Sequence, residues 1–239
     1  MAIRNLGAII ADTLRKDFIE KSFHENNHTG YLLDLGCGVK PFYDLYSKYT
    51  DKSIGIDVAA SPHGTKTADI VYDGKTIPFE ANTFDTVFCT EVMEHVPEPV
   101  RFISEIHRVL KPGGKLIMTT PFMVPLHEEP FDFFRYTKYG IKHLLESAGM
   151  RDVLITSFGE YFGVIIAFAI QLHLKAWRIL SNKTGMRFLY SVYNPFIFFF
   201  IALPQYIYLW YFKAPVLKRL KKYLSSACRG YGYTAVKGS

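Results

Sequence analysis

The stretch Asp34-Leu35-Gly36-Cys37-Gly38-Val39-Lys40-Pro41 decides how the rest of this chain is read. It joins the apolar run Tyr31–Leu35 to a helical pattern over Phe42–Tyr49, so two glycines fall where a buried strand turns into a helix. Glycine there lets the backbone take positive φ and approach a ligand closely, and Pro41 suits a first helical turn. Asp57 ends the next apolar run, Ser53–Asp57, 23 positions after Asp34. A carboxylate at that place can accept both hydroxyls of a ribose, so the two features together imply a nucleoside-containing ligand. The dinucleotide fingerprint needs glycine at position 41, where Pro41 stands, and a nucleoside without a pyrophosphate fits better.

Outward from this turn, short apolar runs alternate with helical patterns. Phe84–Cys89 reads as a strand, and Pro99–Leu110 as a helix with Val100, Ile103, Ile106, His107 and Leu110 on one face. Pro112-Gly113-Gly114 stops that helix, and Lys115–Thr119 supplies the next strand. Lys138–Ser147 is a further helix ending at Ala148-Gly149, and Val153–Phe158 is again strand-like. This alternation predicts a parallel sheet with helices on its faces. Residues 1–30 form a polar helical segment, and Tyr231–Lys237 alternates like a strand.

Five segments in this order resemble the class I S-adenosylmethionine-dependent methyltransferases, specifically the methyltransferase-11-like group. Asp34–Lys40 resembles the first motif, with Lys40 in place of the usual third glycine, and Asp57 resembles the ribose carboxylate. Ala68-Asp69-Ile70-Val71-Tyr72-Asp73-Gly74, followed by Ile77-Pro78-Phe79, is similar to the adenine-binding stretch, which implies that Asp73 accepts from the adenine amino group. Thr90–Val96 and Arg108–Gly114 resemble the segments after the fourth strand and before the fifth. The resemblance implies a Rossmann-like, doubly wound α/β sheet, mostly parallel with an antiparallel last strand. It implies S-adenosyl-L-methionine as cofactor, held by Asp34, Gly36, Gly38, Asp57, Asp73, Gly74 and Thr90. Taken singly, the glycines also suit a plain turn, Asp57 a helix cap and Asp73 a turn former; their joint order favours the cofactor. Glu94 and His95 read first as structural residues near a helix start, with a direct catalytic role as the alternative.

Methyl transfer from a sulfonium is an in-line displacement, and a base is needed only when the acceptor is a hydroxyl or similar group. Pro121–Thr137 follows the fifth strand, at the sheet edge where ligands bind in such folds. Within it His127 is the candidate base, Asp132 orients it or substitutes for it, and Arg135 and Tyr136 are candidate acceptor-binding residues. The segment is similar to the His-x-x-Pro-x-Asp-x-x-Arg-Tyr-Thr stretch of relatives from cell-surface polysaccharide pathways. The plainer alternative has His127 and Asp132 fastening the loop and Arg135 paired with Glu128 or Glu129. The expected reaction is O-methylation of a small or lipid-linked acceptor, a sugar precursor or a quinone-like molecule. An RNA methyltransferase and a non-catalytic cofactor-binding module are the alternatives.

The chain has 239 residues, 49% apolar and 21% charged, a globular composition that excludes disorder and a disulfide scaffold. Cys37, Cys89 and Cys228 are far apart, which argues against a zinc site, and no metal is assigned. The formal charge of +6 is unevenly placed: residues 1–157 carry a net −4 and residues 158–239 a net +10, with 20 of the 38 aromatic residues in the latter. Residues 159–226 therefore read as a basic, aromatic, hydrophobic helical insertion, flanked by a methyltransferase domain of residues 31–158 and 227–239. Phe188–Phe212 lacks formal charge and is long enough to span a membrane, but Asn194, Pro195, Pro204 and Gln205 and the return of the last strand to the sheet favour helices lying at the interface. Lys218, Arg219, Lys221 and Lys222 would then face anionic lipid, with Trp177 and Trp210 at headgroup level. The reading is a cytoplasmic protein with peripheral or monotopic attachment at the inner face of a membrane. Nucleic acid is a weaker fit as partner, and a homo-oligomer is compatible.

Overall fold

The computed structural model describes residues 9–26, 30–184, 203–213 and 226–238. Its elements run α1 (Ile9–Asn26), β1 (Tyr31–Leu35), α2 (Tyr43–Tyr46), β2 (Lys52–Val58), β3 (Ile70–Tyr72), β4 (Phe84–Thr90), a 3₁₀ turn (Met93–His95), α3 (Pro99–Val109), β5 (Leu110–Pro121), α4 (Lys138–Ser147), β6 (Met150–Ser157), α5 (Tyr161–Thr184), α6 (Leu203–Lys213) and β7 (Gly230–Lys237). Seven strands form one sheet in the order β3-β2-β1-β4-β5-β7-β6. β1 pairs in parallel with β2 and β4, β2 with β3, and β4 with β5, while β7 runs antiparallel to β5.

The reversal of order at β1 and β4 puts the C-terminal ends of β1, β2, β4 and β5 on one edge, where such sheets bind ligands. β1 lies at the middle of the parallel part and is apolar along most of its length because both of its faces are covered. Leu32, Leu33 and Leu35 are fully buried, each worth about 1.5–3 kcal/mol. Phe23 of α1, Tyr46 of α2 and Phe88 of β4 pack ring on ring against this centre, at centroid distances of 5.6–6.4 Å.

Several boundaries differ from those read in the sequence. α2 is a single turn, where a helix over Phe42–Tyr49 was expected, and β3, only three residues long, gave no strand pattern of its own. α3 ends at Val109 and buries Phe102, Ile103, Ile106 and Val109, while Val100, placed on the apolar face by periodicity, is exposed. Pro112-Gly113-Gly114 lies beyond the helix end. Pairing passes from Phe84↔Leu110 directly to Thr86↔Lys115, so the intervening residues of β5 bulge out, with Gly113 at φ 74. Lys111 fixes the bulge through both carboxylate oxygens of Asp85, at 2.8 and 2.7 Å.

By contact density the chain divides into two compact units. Residues 16–156 with 230–239 carry the sheet; residues 1–15 with 157–229 form the other unit. In the second unit α5 and α6 lie close together: a Cβ on Gly163 would come 2.7 Å from the Tyr208 ring, so the approach needs a residue without a side chain. Tyr208 stacks on Phe212 at 5.7 Å, and the Arg229 guanidinium lies 5.7 Å from the Phe168 ring. Tyr161, Ile165, Phe168, Leu172 and Ile179 of α5 recur at helical spacing and are all exposed. Trp210, Ile207 and Tyr206 of α6 are exposed as well. No helix among the described residues is long and apolar enough to cross a membrane. The Phe196–Phe200 run and the basic residues Lys218, Arg219, Lys221 and Lys222 lie outside the described residues.

Candidate functional site

The loop after β1 is built as a backbone cradle. Gly36 and Gly38 have φ of 73° and 51°, and Lys40, standing where a third glycine is usual, takes φ 53°. The left-handed path is therefore kept at Lys40 by a residue with a side chain, at a cost of about 1–2 kcal/mol. Its ammonium donates to Asp69 at 2.7 Å, which ties the loop to the approach to β3. Gly36 and Cys37 donate their N–H groups to the Ile56 carbonyl, and Gly38 N–H donates to Asp57 Oδ2 at 2.8 Å. Asp57, buried at the end of β2, also accepts from Ser61 Oγ on Oδ2 and from its neighbour Val58 N–H on Oδ1.

Asp34 is buried in β1 and accepts from the Tyr46 hydroxyl at 3.0 Å. Burial pushes its carboxyl up to about 7, against the opposing effect of that hydrogen bond. Asp73 follows β3 in the open; the N–H groups of Lys75 and Thr76 both bond its Oδ1 and hold it below the usual carboxylate range. Gly74 follows with φ 74°. A carboxylate oxygen accepts two hydrogen bonds. Acceptor capacity therefore remains on Asp57 Oδ1 and Asp73 Oδ2, the two carboxylates assigned to ribose and adenine, and the residues present fit a nucleoside. Thr90 is half-buried at the end of β4, in register with Thr119.

A second group lies at the ends of β4 and β5. The 3₁₀ turn after β4 presents Glu94 and His95, and the loop after β5 presents His127, Glu128, Asp132, Arg135 and Tyr136. Glu91 and Glu128 both hold positive φ of 54°, strained conformations for residues with side chains. Arg135 grips Asp132 with two parallel bonds, Nη1 to Oδ1 at 2.5 Å and Nη2 to Oδ2 at 2.6 Å. This holds the Asp132 carboxyl down at about 2. The partner of Arg135 is thus Asp132, and neither Glu128 nor Glu129. Asp132 Oδ2 accepts the His127 backbone N–H at 2.9 Å and lies 3.3 Å from its Nδ1. Arg135 Nη2 lies 3.3 Å from the same Nδ1, so the structure brings His127, Asp132 and Arg135 together.

The other face of the His127 ring meets Glu94 and His95, for which the sequence reading favours a structural role. His127 Nε2 is 3.8 Å from Glu94 Oε1, His95 Nε2 is 3.7 Å from the same oxygen, and the two rings meet edge to face at 5.0 Å. His95 Nδ1 bonds the Phe131 carbonyl at 2.8 Å. Glu94 is fully buried, and neither carboxylate oxygen has a hydrogen-bond partner among the described residues. Burial first, and the neighbouring Glu91 charge second, push its carboxyl well above the ordinary range. Glu94 and His95 had been read as helix-start residues. The signal that could have found them is their position directly after β4, on the same sheet edge as the loop carrying His127. The Tyr136 hydroxyl donates to the Met93 carbonyl at 3.4 Å, which braces the 3₁₀ turn from the loop side.

The two groups are connected. The His63 ring passes within 3.6 Å of the position a Cβ on Gly38 would take, and its Nε2 is 3.2 Å from Glu128 Oε1. Glu128 Oε2 in turn is 3.5 Å from His95 Nε2. The loop that carries the candidate acceptor residues is therefore linked to the glycine cradle through His63. Met123, Leu126, Phe131, Phe133 and Phe134 on that loop are exposed, so the edge offers apolar surface beside its charged groups.

Comparison with known proteins agrees with this layout. Residues 33–118 match a family described as methyltransferase domain. A ubiquinone biosynthesis O-methyltransferase of Hahella chejuensis is 33% identical over 118 residues, covering 45% of this chain and 49% of that protein. The chain spans about half the length of the curated relatives it matches. Among solved structures, an S-adenosylmethionine-dependent methyltransferase from Archaeoglobus fulgidus superposes with a TM-score of 0.54 at 17% identity, over 92% of this chain and 94% of that one. Phosphoethanolamine N-methyltransferase 2 of Haemonchus contortus, solved with S-adenosyl-L-methionine, gives 0.52 at 18% identity over 89% of this chain and 49% of its own. Residues 33–118 thus match the methyltransferase-domain family, and the strand order of the sheet that carries them is the Rossmann-like α/β order of the solved structures.

Proposed function

We propose that this protein is an S-adenosyl-L-methionine-dependent O-methyltransferase acting on a small or lipid-linked hydroxyl acceptor. The carrying observation is the buried Glu94 carboxylate facing the His95 and His127 imidazoles at the edge where β4 and β5 end. A hydroxyl loses its proton as it takes a methyl group, and a positioned imidazole backed by a carboxylate is suited to receive it. Asp34, Gly36, Gly38, Asp57, Asp73, Gly74 and Thr90 hold the cofactor, which supplies the methyl group on a sulfonium. His127 is the base, Asp132 sets its orientation, and Arg135 and Tyr136 stand at the acceptor side. Arg135 is already engaged by Asp132, so its contribution to an anionic acceptor group is its charge more than free donors.

The apolar loop surface around Phe131 and Phe133 suits an acceptor with a hydrocarbon or aromatic portion, and several curated relatives are named for ubiquinone biosynthesis. The exposed stripe of α5 and the basic charge of residues 158–239 support attachment to an anionic membrane surface, where such an acceptor resides. Incubation of the protein with methyl-labelled cofactor and separated membrane, polysaccharide and RNA fractions tests the reading. Label in a base-stable ether of the lipid or sugar fraction, abolished by His127→Ala without loss of cofactor binding, is the expected result. Label confined to RNA, or full turnover by His127→Ala, overturns it.

A further inference from the structure

We infer that Glu94, His95 and His127 form a binding site for one divalent transition cation, which coordinates and activates the acceptor hydroxyl. This deepens the O-methyltransferase reading and rests on it for the acceptor's role, but not for the cation's.

One ligand atom from each of Glu94, His95 and His127 lies within 4.8 Å of the others, and Glu94 Oε1 is 3.7 Å from His95 Nε2 and 3.8 Å from His127 Nε2. A tetrahedron with bonds of ~2.1 Å has edges of ~3.4 Å, so a small inward movement of the rings would close three ligands around one ion. Second, Glu94 is completely buried with both oxygens lacking a hydrogen-bond partner among the described residues. A buried carboxylate without a hydrogen bond is costly, and a cation held between it and the two imidazoles would satisfy it. Third, each imidazole is held from behind as ligating histidines are. His95 Nδ1 meets the Phe131 carbonyl at 2.8 Å, and donation there turns the lone pair of Nε2 toward Glu94. His127 Nδ1 lies 3.3 Å from both Asp132 Oδ2 and Arg135 Nη2, and the tautomer that donates Nδ1–H to Asp132 is the one that frees Nε2 for a cation.

Two imidazoles and one carboxylate suit manganese, iron, cobalt or zinc, and three protein ligands leave open positions for substrate oxygen. Under this inference the metal-loaded enzyme uses His127 Nε2 as a ligand in place of a base. The acceptor hydroxyl coordinates the cation, which lowers its pKa, and its proton passes to Glu128 or to water. The resulting oxygen attacks the methyl carbon, the carbon–sulfur bond of the sulfonium breaks, and the sulfur leaves as a neutral thioether.

The test titrates Co²⁺ into EDTA-treated, dialysed protein and follows its visible d–d bands, with Zn²⁺, Mn²⁺ and Mg²⁺ as competitors. One equivalent of Co²⁺ is expected to bind, to be displaced by Zn²⁺, and to be lost in Glu94→Gln and His127→Ala. Asp132→Asn should weaken binding by ~10–100-fold without abolishing it. Glu94→Gln keeps the shape of the side chain and removes the orphaned charge. Its apo form should melt no lower than the apo wild type, and added cation should raise the melting temperature of the wild type alone. Absence of saturable binding, or cobalt bands that persist in both ligand variants, overturns the inference. Methyl transfer to a hydroxyl that survives EDTA also overturns it, leaving the O-methyltransferase reading with His127 as base. Cation binding in a protein that methylates no hydroxyl keeps the site and defeats the functional reading.

Discussion

Replacing Gly36 by alanine tests whether the cradle after β1 is held by sterics as well as by hydrogen bonds. The residue has φ 73°, which costs a residue with a Cβ about 1–2 kcal/mol. A Cβ there would also stand 2.4 Å from Val92 Cγ2, a separation real atoms do not keep, and relieving such an overlap in packed surroundings costs a further ~1–3 kcal/mol. The lower entropy of the unfolded alanine chain returns about 0.4–1 kcal/mol. The expected loss is therefore about 2–4 kcal/mol. Gly38→Ala is the internal control: φ is 51° and the nearest atom to its Cβ is 3.6 Å away, so only the conformational part applies and the loss should be about 1 kcal/mol. In the double variant Gly36→Ala/Val92→Ala the overlap disappears while the backbone strain remains. Urea denaturation of these three variants, of Val92→Ala and of the wild type gives the cycle. A Gly36→Ala no worse than Gly38→Ala, or no coupling between positions 36 and 92, would refute the steric account.

Three further outcomes follow from the geometry. The Asp34 carboxyl is pushed up to about 7 in the fold from an ordinary value of 3.8, so the native state binds the extra proton. Stability should fall as pH rises from about 4 to about 7, by on the order of 4 kcal/mol, and Asp34→Asn should flatten that slope; a parallel pH profile in thermal melts counts against it. Lys237 Nζ donates to Asn82 Oδ1 at 2.8 Å and to the Leu110 carbonyl at 2.7 Å, pinning β7 to the end of α3. Lys237→Ala should cost about 1–3 kcal/mol in urea denaturation, and a change below about 0.5 kcal/mol contradicts the pinning. Ile165, Phe168 and Leu172 share the exposed stripe of α5, and replacing all three by glutamate should abolish flotation with vesicles rich in anionic lipid; unchanged flotation removes the stripe from the proposed membrane attachment.

The parts of the fold that were legible in sequence are those where local pattern and tertiary environment agree. β1 is buried on both faces and reads as an unbroken apolar run, and α4 carries its own N-cap, the Thr137 hydroxyl accepting from Gly140 N–H at 3.1 Å. The misreadings have equally local causes. Periodicity put Val100 inward because a helix start was counted as part of the stripe, and the Pro-Gly-Gly turn was credited with ending α3 when it serves a bulge in β5. At the site, Asp57 could be found because a strand end fixes one carboxylate in one place. Glu94 and His95 could not, since their meeting with His127 depends on a 3₁₀ turn and a strained loop reaching the same point from different strands.

The position of β7 has a consequence for how the protein is made. Residues 230–237 slot between β5 and β6, so Lys115 finds its partner in Val236, and the strand that joins them is translated only after the whole stretch from Phe158 to Arg229. At ~5–20 residues per second that delay lasts several seconds, during which β5 presents an unpaired edge and the sheet cannot close. Completion of the cofactor-binding half is thus timed by the basic, aromatic half, which has left the ribosome first. Any surface the latter prefers can be engaged before the sheet is finished.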